Sequence, residues 1–141
     1  MLMNADRHHA KIVGNLERIY PEIGAGGYSQ VDGTVEFYTR IRALTRPEMA
    51  VLDVGAGRGQ QILDAPSPFL QDLLKLQGRV AHIAGADVDP VVLENPYLDR
   101  AEIIQPGERM PFADGAFDLV FADWVLEHVA TPEQFAGEIS R

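Results

Sequence analysis

Gly55, Gly57 and Gly59 stand at alternate positions straight after the apolar run Met49 to Val54, and Asp53 lies inside that run. A buried parallel strand feeding a tight turn and then a helix is written this way. Alternating glycines permit positive φ and remove the Cβ atoms that would hold a small molecule off the backbone. A helix opening after Gly59 would point free N–H groups at the turn and favour a carboxylate or phosphate there. Asp53 adds an acceptor for a cationic amine, or a group that orients the loop. A second acidic residue, Asp87, ends another apolar run in Gly85-Ala-Asp-Val-Asp-Pro90. A carboxylate in that place can accept from both hydroxyls of a ribose. Its alternative use, as a helix N-cap ahead of Pro90, suits Asp89 better. His128 in Asp123-Trp-Val-Leu-Glu-His-Val129 is a candidate general base because its reference pKa lies near neutrality. The alternative for His128 is helix packing or a hydrogen bond that supports the loop. Asp123, just past a strand end, is better placed to face a bound ligand. His8 and His9 are adjacent with no third ligand in view, so no metal site is expected.

The elements that must position these groups alternate. Residues 1 to about 20 read as a helix stopped by Pro21, and Glu22 to Gly33 as a glycine-rich loop. Thr34 to Leu44 reads as a helix with Val35, Tyr38, Ile41, Arg42 and Leu44 shared between a buried face and its margin. Residues 1–46 are expected to form a helical cap, in preference to a lid with Tyr28 or Tyr38 as its aromatic contact. After the first strand and the glycine turn, a helix begins at Gln60, is interrupted at Pro66 and Pro68, and resumes from Phe69 to Leu76. Arg79 to Asp87, Ala101 to Ile104 and Phe117 to Ala122 are the next strands. Asp123 begins a further helix, and Thr131-Pro-Glu caps the last one with proline in its first turn. Strand and helix in alternation imply a parallel sheet whose ligands lie beyond the carboxyl ends of its strands. Asp87 would then meet the glycine turn.

Composition bounds the function. The 141 residues are 46% hydrophobic, enough for one modest core, and the formal net charge is −9. That charge disfavours nucleic acid and anionic membrane as partners, since both are held by Lys and Arg. No cysteine is present, so disulfides, thiolate metal sites and cysteine nucleophiles are excluded. With no apolar run of spanning length and no signal-peptide layout, the expected location is cytoplasmic.

Four stretches together resemble a known family: Val51-Leu-Asp-Val-Gly-Ala-Gly-Arg-Gly59, Gly85-Ala-Asp-Val-Asp-Pro90, Met110-Pro-Phe-Ala-Asp-Gly-Ala-Phe-Asp-Leu-Val120, and Val125-Leu-Glu-His-Val129 with Glu138-Ile-Ser-Arg141. They look like the class I S-adenosylmethionine-dependent methyltransferases, in the small-molecule, type 11-like branch with an LPF…FD-V…LEHV…E-R signature. The resemblance runs from about Met49 to Arg141. It implies an α/β, Rossmann-like three-layer αβα sandwich, its parallel sheet in the order 3-2-1-4, with residues 47–141 as the S-adenosylmethionine-binding domain. It also implies that Asp53, Gly55, Ala56, Gly57 and Gly59 lie against the methionine part of the cofactor, that Asp87 holds the ribose, and that Val88 packs on the adenine. Family members carry an Asp after the third strand for the adenine amino group. Pro106 stands near that place here, so the contact passes to Glu108 or to backbone groups.

The family continues past the Glu-x-x-Arg pair into fifth to seventh strands. The expectation is therefore a domain truncated before them, with an apolar fourth-strand edge on which a second copy could pair. The acceptor is expected to be a small molecule or glycan. Two other classes stay open: a nicotinamide-dependent oxidoreductase, against which the Gly-x-Gly-x-Gly spacing counts, and a non-catalytic Rossmann-like binding module.

Overall fold

The computed structural model describes residues 33–141, so the expectations for the first helix, the glycine-rich loop, His8, His9 and Tyr28 lie outside the described residues. The described residues fall into two compact units, one formed by residues up to Leu44 with Gln61–Leu74, the other by Thr45–Gln60 with Lys75–Arg141.

The first unit contains helix α1 (Thr34–Leu44), most of the short helix α2 (Gln60–Leu63) and helix α3 (Pro68–Leu74). Val35, Tyr38 and Ile41 recur at helical spacing and are buried, as are Leu70 and Leu74 of α3. The Tyr38 ring meets Phe37 edge-on at 5.3 Å and its hydroxyl reaches Gln61 Oε1 at 3.5 Å. Its ring is core, as its spacing suggests. Pro66 and Pro68 part α2 from α3, and the Ser67 hydroxyl accepts from the Leu70 N–H at the start of α3.

The second unit holds a four-stranded parallel sheet, β1 (Ala50–Val54), β2 (His82–Asp87), β3 (Arg100–Ile103) and β4 (Leu119–Ala122), in the order β3-β2-β1-β4. This is the expected order. β2 starts three residues later than the apolar run suggested, because Gly78 at φ +78° turns the chain and Arg79 N–H bonds back to Leu76. Both neighbours of β1 are fixed in register from its first residue. Asp118 accepts from the Ala50 N–H at 2.8 Å and returns its own N–H to the Ala50 carbonyl at 2.8 Å, so the Phe-Asp pair of the signature locks β4 onto β1. One face of the sheet presents Leu52, Val54, Ala84 and Ala86, which pack with Met110 and Phe112 and with the half-buried Phe117, Phe135 and Ile139. Helix α4 (Pro132–Ile139) supplies the last two. Among the described residues no helix is long and apolar enough to cross a membrane.

Two helical expectations change. The segment from Asp123 forms only a 3-10 turn, Leu126–His128, because Trp124 adopts φ +55°, a left-handed conformation that breaks any right-handed helix begun at Asp123. Thr131 precedes α4 with Pro132 in its first turn, as expected, but its side chain makes no capping bond; the hydroxyl lies 3.4 Å from Gln134 Oε1 instead.

Candidate functional site

The site lies in the second unit, where the carboxyl ends of β2, β1 and β4 stand side by side. Asp87 ends β2, Asp53 is the penultimate residue of β1, and Asp123 follows β4. The register pairs Asp53 with Gly85 on one side and Phe121 on the other, so the three carboxylates converge within one end of the sheet. Burial, then the charge of Asp123, then that of Asp87, raises the Asp53 pKa from 3.8 to about 7. Among the described residues no hydrogen bond reaches the Asp53 carboxylate.

The loop from Gly55 to Gly59 closes over this end. Gly55, Gly57 and Gly59 have φ of +83°, +48° and +76°, the left-handed conformations that their lack of a Cβ permits. Their N–H groups are not left free for an anion, contrary to the expectation. Gly55 and Ala56 donate to the Ala86 carbonyl, Gly57 donates to Asp87 Oδ2 at 2.8 Å, and Gly59 donates to the Ala56 carbonyl. The helix that follows is only four residues long, Gln60–Leu63. The anion this loop binds is therefore the protein's own Asp87. Asp87 Oδ1 accepts a second backbone bond, from Asp89 at 2.9 Å, and each of its oxygens retains a lone pair for a further donor. Asp89 caps the 3-10 turn Pro90–Glu94 by accepting from the Val91 N–H, as the sequence indicated.

Gly57 leaves open space where the loop faces outward. A Cβ built there would meet only Asp87 Oδ2, at 4.0 Å. The other glycines of the region serve close packing. A Cβ on Gly55 would collide with Val125; one on Gly59 would lie 2.7 Å from Asn95 Oδ1 and 2.8 Å from Tyr97; one on Gly85 would strike Leu98 and come within 2.9 Å of Ala56.

Sequence reasoning missed Asn95. Its Nδ2 donates to the carbonyls of Ala56 at 3.2 Å and Gly57 at 3.0 Å, while its Oδ1 accepts from the Tyr97 N–H at 3.0 Å. It lies 38 positions beyond Gly57 in a segment without motif spacing. The one available signal was the Asn-Pro-Tyr turn, which told of local chain reversal and nothing of this contact.

A cavity of about 280 Å³ is lined by Val88, Ile104, Pro106, Gly107 and Glu108 on one side and by Val129 and Phe135 on another. Val88, 55% exposed, and Glu108 thus share one recess, close to the end of β2. The Gln134 side chain donates to the Gly107 carbonyl and ties the wall of the recess to α4. His128 stands apart from these groups in burial: its side chain is 80% exposed on the 3-10 turn, with Glu127 Oε1 at 4.0 Å. It is not packed against a helix.

A parallel α/β sheet in this order, with a glycine loop against an acidic β2 terminus, defines a class: the Rossmann-like fold of the class I methyltransferases. Residues 52–141 match the family described as "Methyltransferase domain", and the chain belongs to it. The chain is similar to YcgJ, an uncharacterized methyltransferase of Bacillus subtilis (strain 168), at 26% identity over 98 residues, 68% of this chain and 37% of that protein. It thus spans well under half the length of this curated relative. The crystal structure of YcgJ aligns with a TM-score of 0.56 at 20% identity, over 77% of this chain and 44% of that one. A chain from the complex between the Haloferax volcanii Trm112 methyltransferase activator and its candidate methyltransferase aligns with a TM-score of 0.57 at 18% identity, over 90% of this chain and 54% of that one. At such identities the two structures speak for the fold alone.

Proposed function

We propose that this chain binds S-adenosylmethionine across the ends of β1, β2 and β4, as the cofactor-binding part of a methyltransferase acting on a small-molecule or glycan-type acceptor. The observation that carries the reading is the pairing of a glycine loop whose Gly55, Ala56, Gly57 and Gly59 N–H groups are already donated with three converging carboxylates, Asp53, Asp87 and Asp123. That arrangement favours a ligand bearing cationic groups and hydroxyls. It opposes a dinucleotide, whose pyrophosphate would need free N–H donors and would lie among like charges.

The residues present fit the cofactor group by group. Asp87 keeps lone pairs for two ribose hydroxyls, Gly57 leaves the space beside it open, and the recess lined by Val88, Pro106, Gly107 and Glu108 suits a flat heterocycle. Asp53 and Asp123 would hold the ammonium end. When bound, the cofactor supplies an electrophilic sulfonium methyl group. The contribution of this chain is to fix that group in place and to screen its positive charge, so that an acceptor can approach in line; positioning of this kind lowers a barrier without a dedicated acid or base. His128 remains a candidate base from its place after β4.

Calorimetric titration of the chain with S-adenosylhomocysteine, with NAD as control, tests this. S-adenosylhomocysteine should bind and NAD should not. Asp87→Ala removes two charge-assisted acceptors and should weaken binding roughly tenfold or more. Uptake of NAD alone by the folded chain, or an unchanged affinity in Asp87→Ala, would overturn the reading.

A further inference from the structure

The Gly57 peptide is gripped from both sides. Asp87 takes its N–H and Asn95 takes its carbonyl, at 2.8 and 3.0 Å, and the same Asn95 amide holds the carbonyl of Ala56. Asn95 is itself held. Its backbone N–H closes the 3-10 turn onto the Val92 carbonyl, its Oδ1 is occupied by the Tyr97 N–H, and Gly59 lacks the Cβ that would come within 2.7 Å of that Oδ1. Both donor hydrogens of its amide and one acceptor lone pair are thereby committed, which fixes the ring of contacts around a half-buried side chain.

We infer that Asn95 is a positioning residue for the methionine end of the cofactor: it sets the path of the glycine loop, and so the space beside Gly57, without touching the ligand. This rests on the cofactor reading above. A left-handed glycine turn has many accessible alternatives, and without an anchor the loop would sample them and would have to be ordered by the ligand at a cost in affinity. The ribose carboxylate is linked to that anchor only through the Gly57 N–H. Asp87 keeps its tether to the Asp89 N–H when Asn95 is lost. Removal of Asn95 should therefore damage recognition of the amino-acid end of the cofactor and spare that of the nucleoside end, a selectivity that general loss of stability would not produce.

The test compares S-adenosylhomocysteine with adenosine, which lacks the amino-acid end, on wild-type chain, Asn95→Ala and Asn95→Asp. Asn95→Asp is isosteric and keeps the acceptor for Tyr97, but sets an oxygen against the Ala56 and Gly57 carbonyls, so it carries the test if the alanine variant unfolds. Each variant should lose about tenfold in affinity for S-adenosylhomocysteine, the effect of two lost hydrogen bonds, and stay within about twofold of wild type for adenosine. An unchanged affinity for S-adenosylhomocysteine, or an equal loss for both ligands, would overturn the role of Asn95 while leaving the cofactor reading intact. Failure of the folded wild-type chain to bind S-adenosylhomocysteine would instead overturn the cofactor reading itself.

Discussion

Asp53 sits where its charge is least welcome. The fold removes it from much of its water and sets Asp123 and Asp87 beside it, so its pKa rises from 3.8 to about 7. In the unfolded chain the same carboxyl ionises near pH 4. Between these values the folded chain holds one proton more than the unfolded chain, and the contribution of Asp53 to stability falls as pH rises through that window. Asp53→Asn keeps the shape and removes the charge, so it should stabilise the chain at pH 8 and do little at pH 4. About 1–2 kcal/mol is the expected gain, well below the ~4 kcal/mol of an undiscounted three-unit shift, since Asp53 is only half-buried at its strand end. Chemical denaturation at the two pH values reads this directly. An equal effect at both would mean that packing, not ionisation, is what the substitution changed. The position of Asp53 was legible in the sequence. Its pKa was not, because that depends on two carboxylates 34 and 70 positions away being brought to the same sheet end.

At the scale of the elements, the Glu-x-x-Arg pair of the signature proves to be a clamp. Arg141 donates to the carbonyls of Met110 and Phe112 at 2.8 Å, to Glu138 at 2.9 Å and to Asp114 at 2.7 Å, while Glu138 also accepts from the Met110 N–H. These bonds lower the pKa values of Glu138 and Asp114. Through them the end of α4 holds the segment from Met110 to Asp114, the continuation of the loop whose Pro106, Gly107 and Glu108 line the recess. Arg109 also pairs with Asp114, at 2.7 Å, but from a side chain 65% exposed. Arg141→Ala should therefore lower the melting temperature clearly more than Arg109→Ala, since only the former strands two backbone carbonyls beneath a side chain that is 17% exposed. Equal shifts would show that the carbonyl bonds contribute nothing beyond the ion pairs. The sequence carried the residues of this clamp and their order. It could not carry their use, because a motif records which side chains recur and a bond to a backbone carbonyl leaves no mark on the residue that owns it. The same holds for the break at Trp124: an apolar run with helical spacing is indistinguishable in sequence from one that a left-handed residue interrupts.

For the chain as a whole, strand identity was readable because the strands are written as apolar runs with glycine turns beside them, whereas the sheet order came from the resemblance of the four signature stretches. What the whole chain adds to the site is charge. The chain has a formal net charge of −9, and the site itself gathers Asp53, Asp87 and Asp123. Such a field raises the local concentration of cations and is screened by salt over a Debye length of about 8–10 Å near physiological ionic strength. S-adenosylmethionine carries one net positive charge and S-adenosylhomocysteine none, although the two share nearly every other contact. Titration of both ligands at about 20 mM and about 500 mM salt should then show the affinity for S-adenosylmethionine falling several-fold and that for S-adenosylhomocysteine hardly moving. The difference would mean that the field selects the loaded cofactor over the spent one, which aids product release after methyl transfer. Parallel changes for the two ligands would place recognition wholly in the uncharged contacts and strip the carboxylate cluster of that role.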